Sequence, residues 1–284
     1  MTHFVNLRAG PWGAVCSPYV LSGDALATPM SLTSVNWEGV PFLVRGRNVL
    51  LVAHGFNVDF NSGVRSLQRL EAALGIDPVR EAFFGVLWPG DWTIPAINYP
   101  AEDRIASHAG ALLGDFCNRW LASAASISFA SHSLGARVIL EAIQASKRRI
   151  RMACITAGAL NSAALCEEYE AAAANCDAIR TLSSMQDLVL KLAFPAGDIF
   201  ADLLDPDHPP LEAAMGRAGP TGSYPSYVAP SEIPDSPPYD HEDYLPPGSA
   251  NDPGPAAAGG PDWRNPAAFV AKAFRSRAPG WPAT

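Results

Sequence analysis

Five short, largely apolar stretches, at residues 48–53, 83–88, 127–130, 151–156 and 178–183, recur along the chain with helical spacing between them. A continuous apolar run suits a strand buried on both faces, as in a parallel sheet, because an antiparallel strand with one wet face would alternate. The intervals read as helices. Residues 62–74 carry Val64, Leu67, Leu70, Ala73 and Leu74 at three- and four-residue steps, with Gly75 as the stop. Helices are also expected over 103–122, immediately after Ser133, and in the alanine-rich stretch 163–175. Four strand–helix alternations predict an α/β architecture, a mostly parallel sheet with right-handed crossovers and helices on both faces.

The two ends have a different texture. Residues 1–46 mix aromatic and β-branched residues with Gly and Pro, and 34–37 followed by 39–44 suggests short antiparallel strands in an edge hairpin. Of the chain's 26 prolines, 14 fall between residues 206 and 261, which predicts an irregular surface segment with room for one brief strand at 224–228. A short apolar helix is expected at 188–194 and a closing helix at 265–277. With 284 residues and no linker near the middle, residues 1–284 are expected to form one domain.

Composition excludes several classes of function. A formal net charge of −8 is a poor match for nucleic acid or an anionic membrane surface. No run of 18 apolar residues occurs, and the N-terminus lacks a basic segment followed by an apolar core, so a soluble, cytoplasmic protein without an integral membrane segment is expected. Five cysteines without a C-x-x-C pair give neither a zinc pattern nor a disulfide framework, and the scattered aspartates have no ligand spacing. No metal or cofactor is expected. Oligomeric state is left open by the sequence.

The chemistry is concentrated at residues 127–141, where an apolar strand meets Ser131-His132-Ser133-Leu134-Gly135 and then turns helical. A backbone reversing this sharply needs small residues two before and two after the serine, here Ser131 and Gly135, and holds the hydroxyl above the sheet. The first glycine of the usual G-x-S-x-G pattern is absent. The helix that follows directs its N-terminal N–H groups at the serine, where they would stabilise developing negative charge.

A serine nucleophile needs a base within hydrogen-bond reach, and the base needs an acceptor that fixes its tautomer. In enzymes with this elbow the chain order is serine, then acid, then histidine. Downstream of Ser133 only His208 and His241 remain. His241, in Tyr239-Asp240-His241-Glu242-Asp243-Tyr244, follows the expected last strand and is the favoured base, whereas His208 stands among prolines. Asp187, just past a strand, is the candidate acid. His54 and His132 are expected to brace the site without acting as acid or base. Trp88, Trp92 and Tyr99, on and after the strand at 83–88, are candidate substrate walls.

Val52-Ala53-His54-Gly55-Phe56-Asn57, Leu87-Trp88-Pro89, Ala130 to Gly135, Ser183 to Asp187 and His241 to Tyr244 together resemble the α/β-hydrolase superfamily. They are most similar to a poorly characterised bacterial branch with an HGFN loop and an H-S-x-G elbow. The resemblance covers about residues 48–244. It implies the α/β-hydrolase fold and a Ser133, Asp187, His241 triad. It also implies an oxyanion hole built from the backbone N–H of Leu134 and of Phe56, or of Asn57 in place of Phe56. The leading expectation is therefore an esterase- or lipase-like serine hydrolase acting on a small-molecule ester or acyl substrate. An acyltransferase with the same triad, and a non-catalytic binding module on the same fold, are the alternatives.

Overall fold

A computed structural model describes residues 1–10, 14–91, 99–191, 213–251 and 259–281. Five strands form the middle of the sheet: β4 (Asn48–Ala53), β5 (Glu81–Leu87), β6 (Ser126–His132), β7 (Met152–Thr156) and β8 (Ile179–Ser183). All pair in parallel, in the order β5-β4-β6-β7-β8, and β9 (Val228–Glu232) adds a further parallel strand beside β8. Their side chains are buried almost throughout β4 to β8, which is why these sequences are apolar without alternation. On the other side lie β1 (Thr2–Arg8), β2 (Val15–Asp24) and β3 (Ser31–Val35). The strand β1 runs parallel to β5, and β2 and β3 complete the edge as antiparallel strands.

Helices cover both faces. On one, α2 (Phe60–Leu74) packs against β5 and against the last helix, α7 (Arg264–Ser276). On the other, α3 (Tyr99–Trp120) crosses α4 (Gly135–Ala145), which lies on β4 and β6 and also meets the short α5 (Glu170–Ala174). The boundaries of α2 follow from capping. Asp59 accepts the N–H groups of Asn61 and Ser62 at 2.8 and 3.1 Å, and Gly75 ends the helix in the left-handed region at φ 61°.

The terminal regions depart from the sequence reading. The edge hairpin is β2 and β3, while residues 39–44, expected as a strand, form a 3₁₀ turn (Trp37–Gly39) and helix α1 (Val40–Val44). Pro41 lies in the first turn of α1, where its missing N–H leaves no helical hydrogen bond unmade, and Val40 and Val44 bury one turn apart. The strand β1 lies inside the sheet between β2 and β5, where Phe4, Val5 and Leu7 are fully buried.

The expected helix at 163–175 shrinks to α5, as residues 161–169 take turns in which the Asn161 side chain accepts the N–H of Ala163 at 2.8 Å. Residues 188–191 are helical, and the remainder of the stretch expected to 194 lies outside the described residues. The proline-rich segment is not merely a surface segment. It supplies the short α6 (Met215–Ala218), the strand β9 and a 3₁₀ turn (His241–Tyr244), and it buries Met215, Ile233, Tyr239 and Tyr244. Proline limits the length of regular elements there without preventing burial of the apolar side chains between them.

Candidate active site

Strand β6 ends at His132, and the chain then reverses into α4 through Ser133, whose φ is +55°. That conformation costs a non-glycine residue about 1–2 kcal/mol and persists because the neighbours dictate it. The Ser133 N–H donates to the Thr156 carbonyl at 3.1 Å, tying the bend to β7. A Cβ at Gly135 would lie 2.4 Å from the His54 carbonyl oxygen, so only glycine lets the first turn of α4 close on the end of β4. A Cβ at Gly55 would meet both Ser133 Cβ and His132 Nδ1 at 2.8 Å. Ser131, where the usual pattern has glycine, is buried, and its carbonyl accepts the Thr156 hydroxyl at 2.8 Å.

Around this bend the structure brings together the three residues singled out from the sequence. His241 Nε2 lies 2.8 Å from Ser133 Oγ, and His241 Nδ1 lies 2.8 Å from Asp187 Oδ2. Asp187 is fully buried, and its other carboxylate oxygen accepts the Leu190 N–H at 2.8 Å. A carboxylate only accepts, so Nδ1 carries the proton and the lone pair on Nε2 faces the serine hydroxyl.

His241 begins the 3₁₀ turn, which Asp240 caps by accepting the His241 N–H at 2.8 Å, while Asp243 accepts the Asp240 N–H at 2.8 Å. Asp240 also accepts the Leu188 N–H at 3.0 Å, joining the two loops that carry the acid and the imidazole. Ser184 adds a second tie by donating its hydroxyl to the Tyr239 carbonyl at 2.8 Å. Neither Asp240 nor Ser184 was singled out from the sequence. The D-x-x-D spacing of Asp240 and Asp243 is a capping signal that is visible in the sequence.

The other two histidines hold backbone. His132 Nε2 donates to the His241 carbonyl at 2.8 Å, and His54 Nδ1 donates to the Gly55 carbonyl at 2.8 Å. Burial pushes the pKa of His54 down to about 4 and that of His132 to about 3, so both rings are neutral near pH 7. Trp88 does not line the site, contrary to expectation. It is completely buried, stacks on the His54 ring and donates its indole N–H to the His54 carbonyl at 2.8 Å. An indole reaching an otherwise unpaired strand-end carbonyl is better placed beneath the loop than in a wet cleft. Trp92, the Tyr99 side chain and His208 lie outside the described residues.

The two N–H groups named for an oxyanion hole are both uncommitted. Neither Phe56 N–H nor Leu134 N–H donates to a group among the described residues, whereas the Asn57 N–H is taken by the Gly90 carbonyl at 2.5 Å. Asn57 is thereby removed as the substitute for Phe56. A cavity of about 520 Å³ opens over Ser133 and His241. Its walls are mostly apolar, from Phe56, Val58, Leu134, Val189, Leu190 and Leu245 to Pro247, with Asn57, Ser62, Ser66 and Glu242 as polar points. Among the described residues no cluster of three or more His, Cys, Asp or Glu side chains is placed to hold a metal ion, and no helix is long and apolar enough to cross a membrane.

The model of the family described as alpha/beta hydrolase of unknown function (DUF900) matches residues 43–198. The chain belongs to this family. For this α/β hydrolase the matched span includes Ser133 and Asp187 and ends before His241. Among solved structures, it is similar to an acetyl xylan esterase from Paenibacillus sp. R4, with 15% identity over 84% of this chain and 83% of that one and a TM-score of 0.38. It is also similar to a thermophilic esterase from the Planctomycetes species Thermogutta terrifontis, in a propionate-bound structure, with 10% identity over 72% and 76% of the two chains and a TM-score of 0.35. No curated protein matches the sequence.

Proposed function

We propose that this protein is a serine hydrolase that cleaves carboxylic esters through an acyl-enzyme on Ser133. The observation that carries this reading is the chain of two 2.8 Å contacts from Ser133 Oγ through His241 to the buried Asp187. In the first step Ser133 Oγ attacks the ester carbonyl while its proton passes to His241 Nε2. Asp187 holds the Nδ1–H and stabilises the imidazolium that forms. The negative charge on the former carbonyl oxygen is received by the N–H groups of Leu134 and Phe56, the first lying at the start of α4. His241 then protonates the departing alcohol. A water, deprotonated by the same imidazole, then attacks the acyl-enzyme carbonyl, and as the bond to Ser133 Oγ breaks the imidazolium returns the proton to that oxygen and the acid leaves. No metal or organic cofactor enters this sequence.

The cavity suggests the kind of substrate. Its apolar walls suit an uncharged acyl group of a few carbons, and Glu242, beside the imidazole, disfavours an anionic one. Labelling with a fluorophosphonate tests the assignment. The folded protein should be modified on Ser133, with labelling abolished in Ser133→Ala and sharply reduced in His241→Ala. A folded protein that resists the probe would end the reading and leave a binding module.

A further inference from the structure

Arg8 is the last residue of β1, and because β1 runs parallel to β5 it emerges at the same rim of the sheet as Ser133. An antiparallel strand would have delivered it to the opposite end. The residue is only 4% exposed, an unusual place for a cation unless its donors are all engaged. Its guanidinium donates to the Val58 carbonyl at 3.2 Å and the Trp88 carbonyl at 3.0 Å, and it pairs with the Asp91 carboxylate. One side chain thus joins the loop after β4 to the loop after β5. Val58 and Gly90 also pair as an isolated antiparallel bridge alongside it.

Accounting for the polar backbone groups of residues 54–58 shows what this clamp leaves free. The carbonyls of His54, Gly55 and Val58 accept from Trp88, His54 and Arg8, and the Asn57 N–H donates to Gly90. The Phe56 N–H has no partner among the described residues, and it lies at the edge of the cavity that holds Ser133. A loop pinned on both sides of Phe56 cannot rotate that N–H away without breaking a hydrogen bond to a buried group.

We propose that Arg8, paired with Asp91, is a positioning residue that fixes the 54–58 loop so that the Phe56 N–H faces the oxygen on which negative charge develops. The role rests on the serine-hydrolase reading of Ser133. A lysine cannot replace the guanidinium, since an ammonium lacks the planar fork that reaches two carbonyls and a carboxylate together.

The test uses the full chain with p-nitrophenyl acetate as substrate, an aryl trifluoromethyl ketone as a mimic of the tetrahedral intermediate, and thermal unfolding as the control. Arg8→Met should lower kcat by roughly 10- to 100-fold with KM changed by no more than about threefold, because the lost contact matters mainly once charge has formed. Affinity for the ketone should fall in parallel. Arg8→Lys should recover only part of the loss. Asp91→Asn, which keeps shape and an acceptor oxygen, should lose roughly three- to tenfold by loosening the guanidinium. A purely structural Arg8 would lower the unfolding temperature yet leave kcat and ketone affinity within about twofold of wild type in the folded Arg8→Lys and Asp91→Asn proteins. That result would overturn the proposal. Wild-type protein that neither turns over the ester nor reacts with a fluorophosphonate would overturn the hydrolase reading itself, and the two failures are thereby distinguishable.

Discussion

Ser133 and His241 meet at 2.8 Å but are held there by different physics. The serine sits on a strained bend between β6 and α4, wedged by glycines at 55 and 135 and backed by the central strands β4 to β8, which are buried on both faces. The imidazole hangs from a proline-rich segment with few regular elements, fixed by Asp240, Asp243, Ser184 and the ring of His132. Packing holds the nucleophile and hydrogen bonds hold the base. Damage to the first region should therefore register mainly as lost stability, and damage to the second mainly as lost turnover.

The largest effect lies outside that contrast, at Ser133→Ala, which removes the reacting atom itself and leaves its support in place. Removing the hydroxyl should abolish measurable ester turnover, a loss of at least ~10⁴-fold, while the unfolding temperature stays within a few degrees of wild type. Ser133→Gly should be more stable than Ser133→Ala, by about 1 kcal/mol in chemical denaturation, since glycine accepts the positive φ. If the glycine variant is the less stable of the two, the bend is not strained in the way described.

The next largest effect belongs to the sheet. Phe129 on β6 is completely buried, and Phe129→Ala should cost about 3–5 kcal/mol in urea unfolding. Any fraction that remains folded should keep a nearly normal kcat. A folded variant with native stability and poor turnover would reverse the contrast.

Acid should act on both regions through the buried imidazoles. His54, His132 and His3 have pKa values lowered by burial to about 4, about 3 and about 4, against 6.5 for an unperturbed histidine. Below the unfolded value the unfolded chain takes up protons that the folded chain refuses, so stability falls as pH drops from about 6.5 toward 4 and is fully present above that window. The loss is on the order of 3 kcal/mol for His54 at the acid end. Measured by urea unfolding between pH 7 and 4, His54→Gln should flatten the slope. An unchanged slope would mean that the ring is not kept neutral by burial.

The same contrast governs what the sequence makes legible. Buried parallel strands need unbroken apolar runs and the elbow needs small residues, so β4 to β8 and Ser133 can be read from local pattern alone. Asp187 and His241 follow from their places after strand ends and from chain order. The supporting contacts do not, because each depends on partners distant in sequence: Arg8 with Val58 and Trp88, Ser184 with Tyr239. Trp88 shows why residue type alone misleads. An aromatic at a strand end suits a pocket wall as well as a buried prop, and only the position of the His54 carbonyl decides between them. At 39–44, one proline fits a helix start better than a strand, a distinction that β-branched neighbours obscure.

Asp240 offers the finest discrimination between the two kinds of support. Its carboxylate caps the 3₁₀ turn at His241 and receives the Leu188 N–H from the loop that carries Asp187, yet it touches neither Ser133 nor the cavity. Losing a cap costs about 1 kcal/mol, which in a chain of this length shifts the unfolding temperature by only ~2–4 °C. The imidazole, however, must stay within a few tenths of an ångström of both partners for proton transfer, so Asp240→Ala should lower kcat by about tenfold with little change in KM. Asp240→Asn, which keeps an acceptor for both N–H groups, should restore most of it. Should Asp240→Ala turn over substrate as fast as wild type, the His132 contact and the Ser184 tie would suffice to hold the ring, and the late segment would be as firmly packed as the sheet it serves.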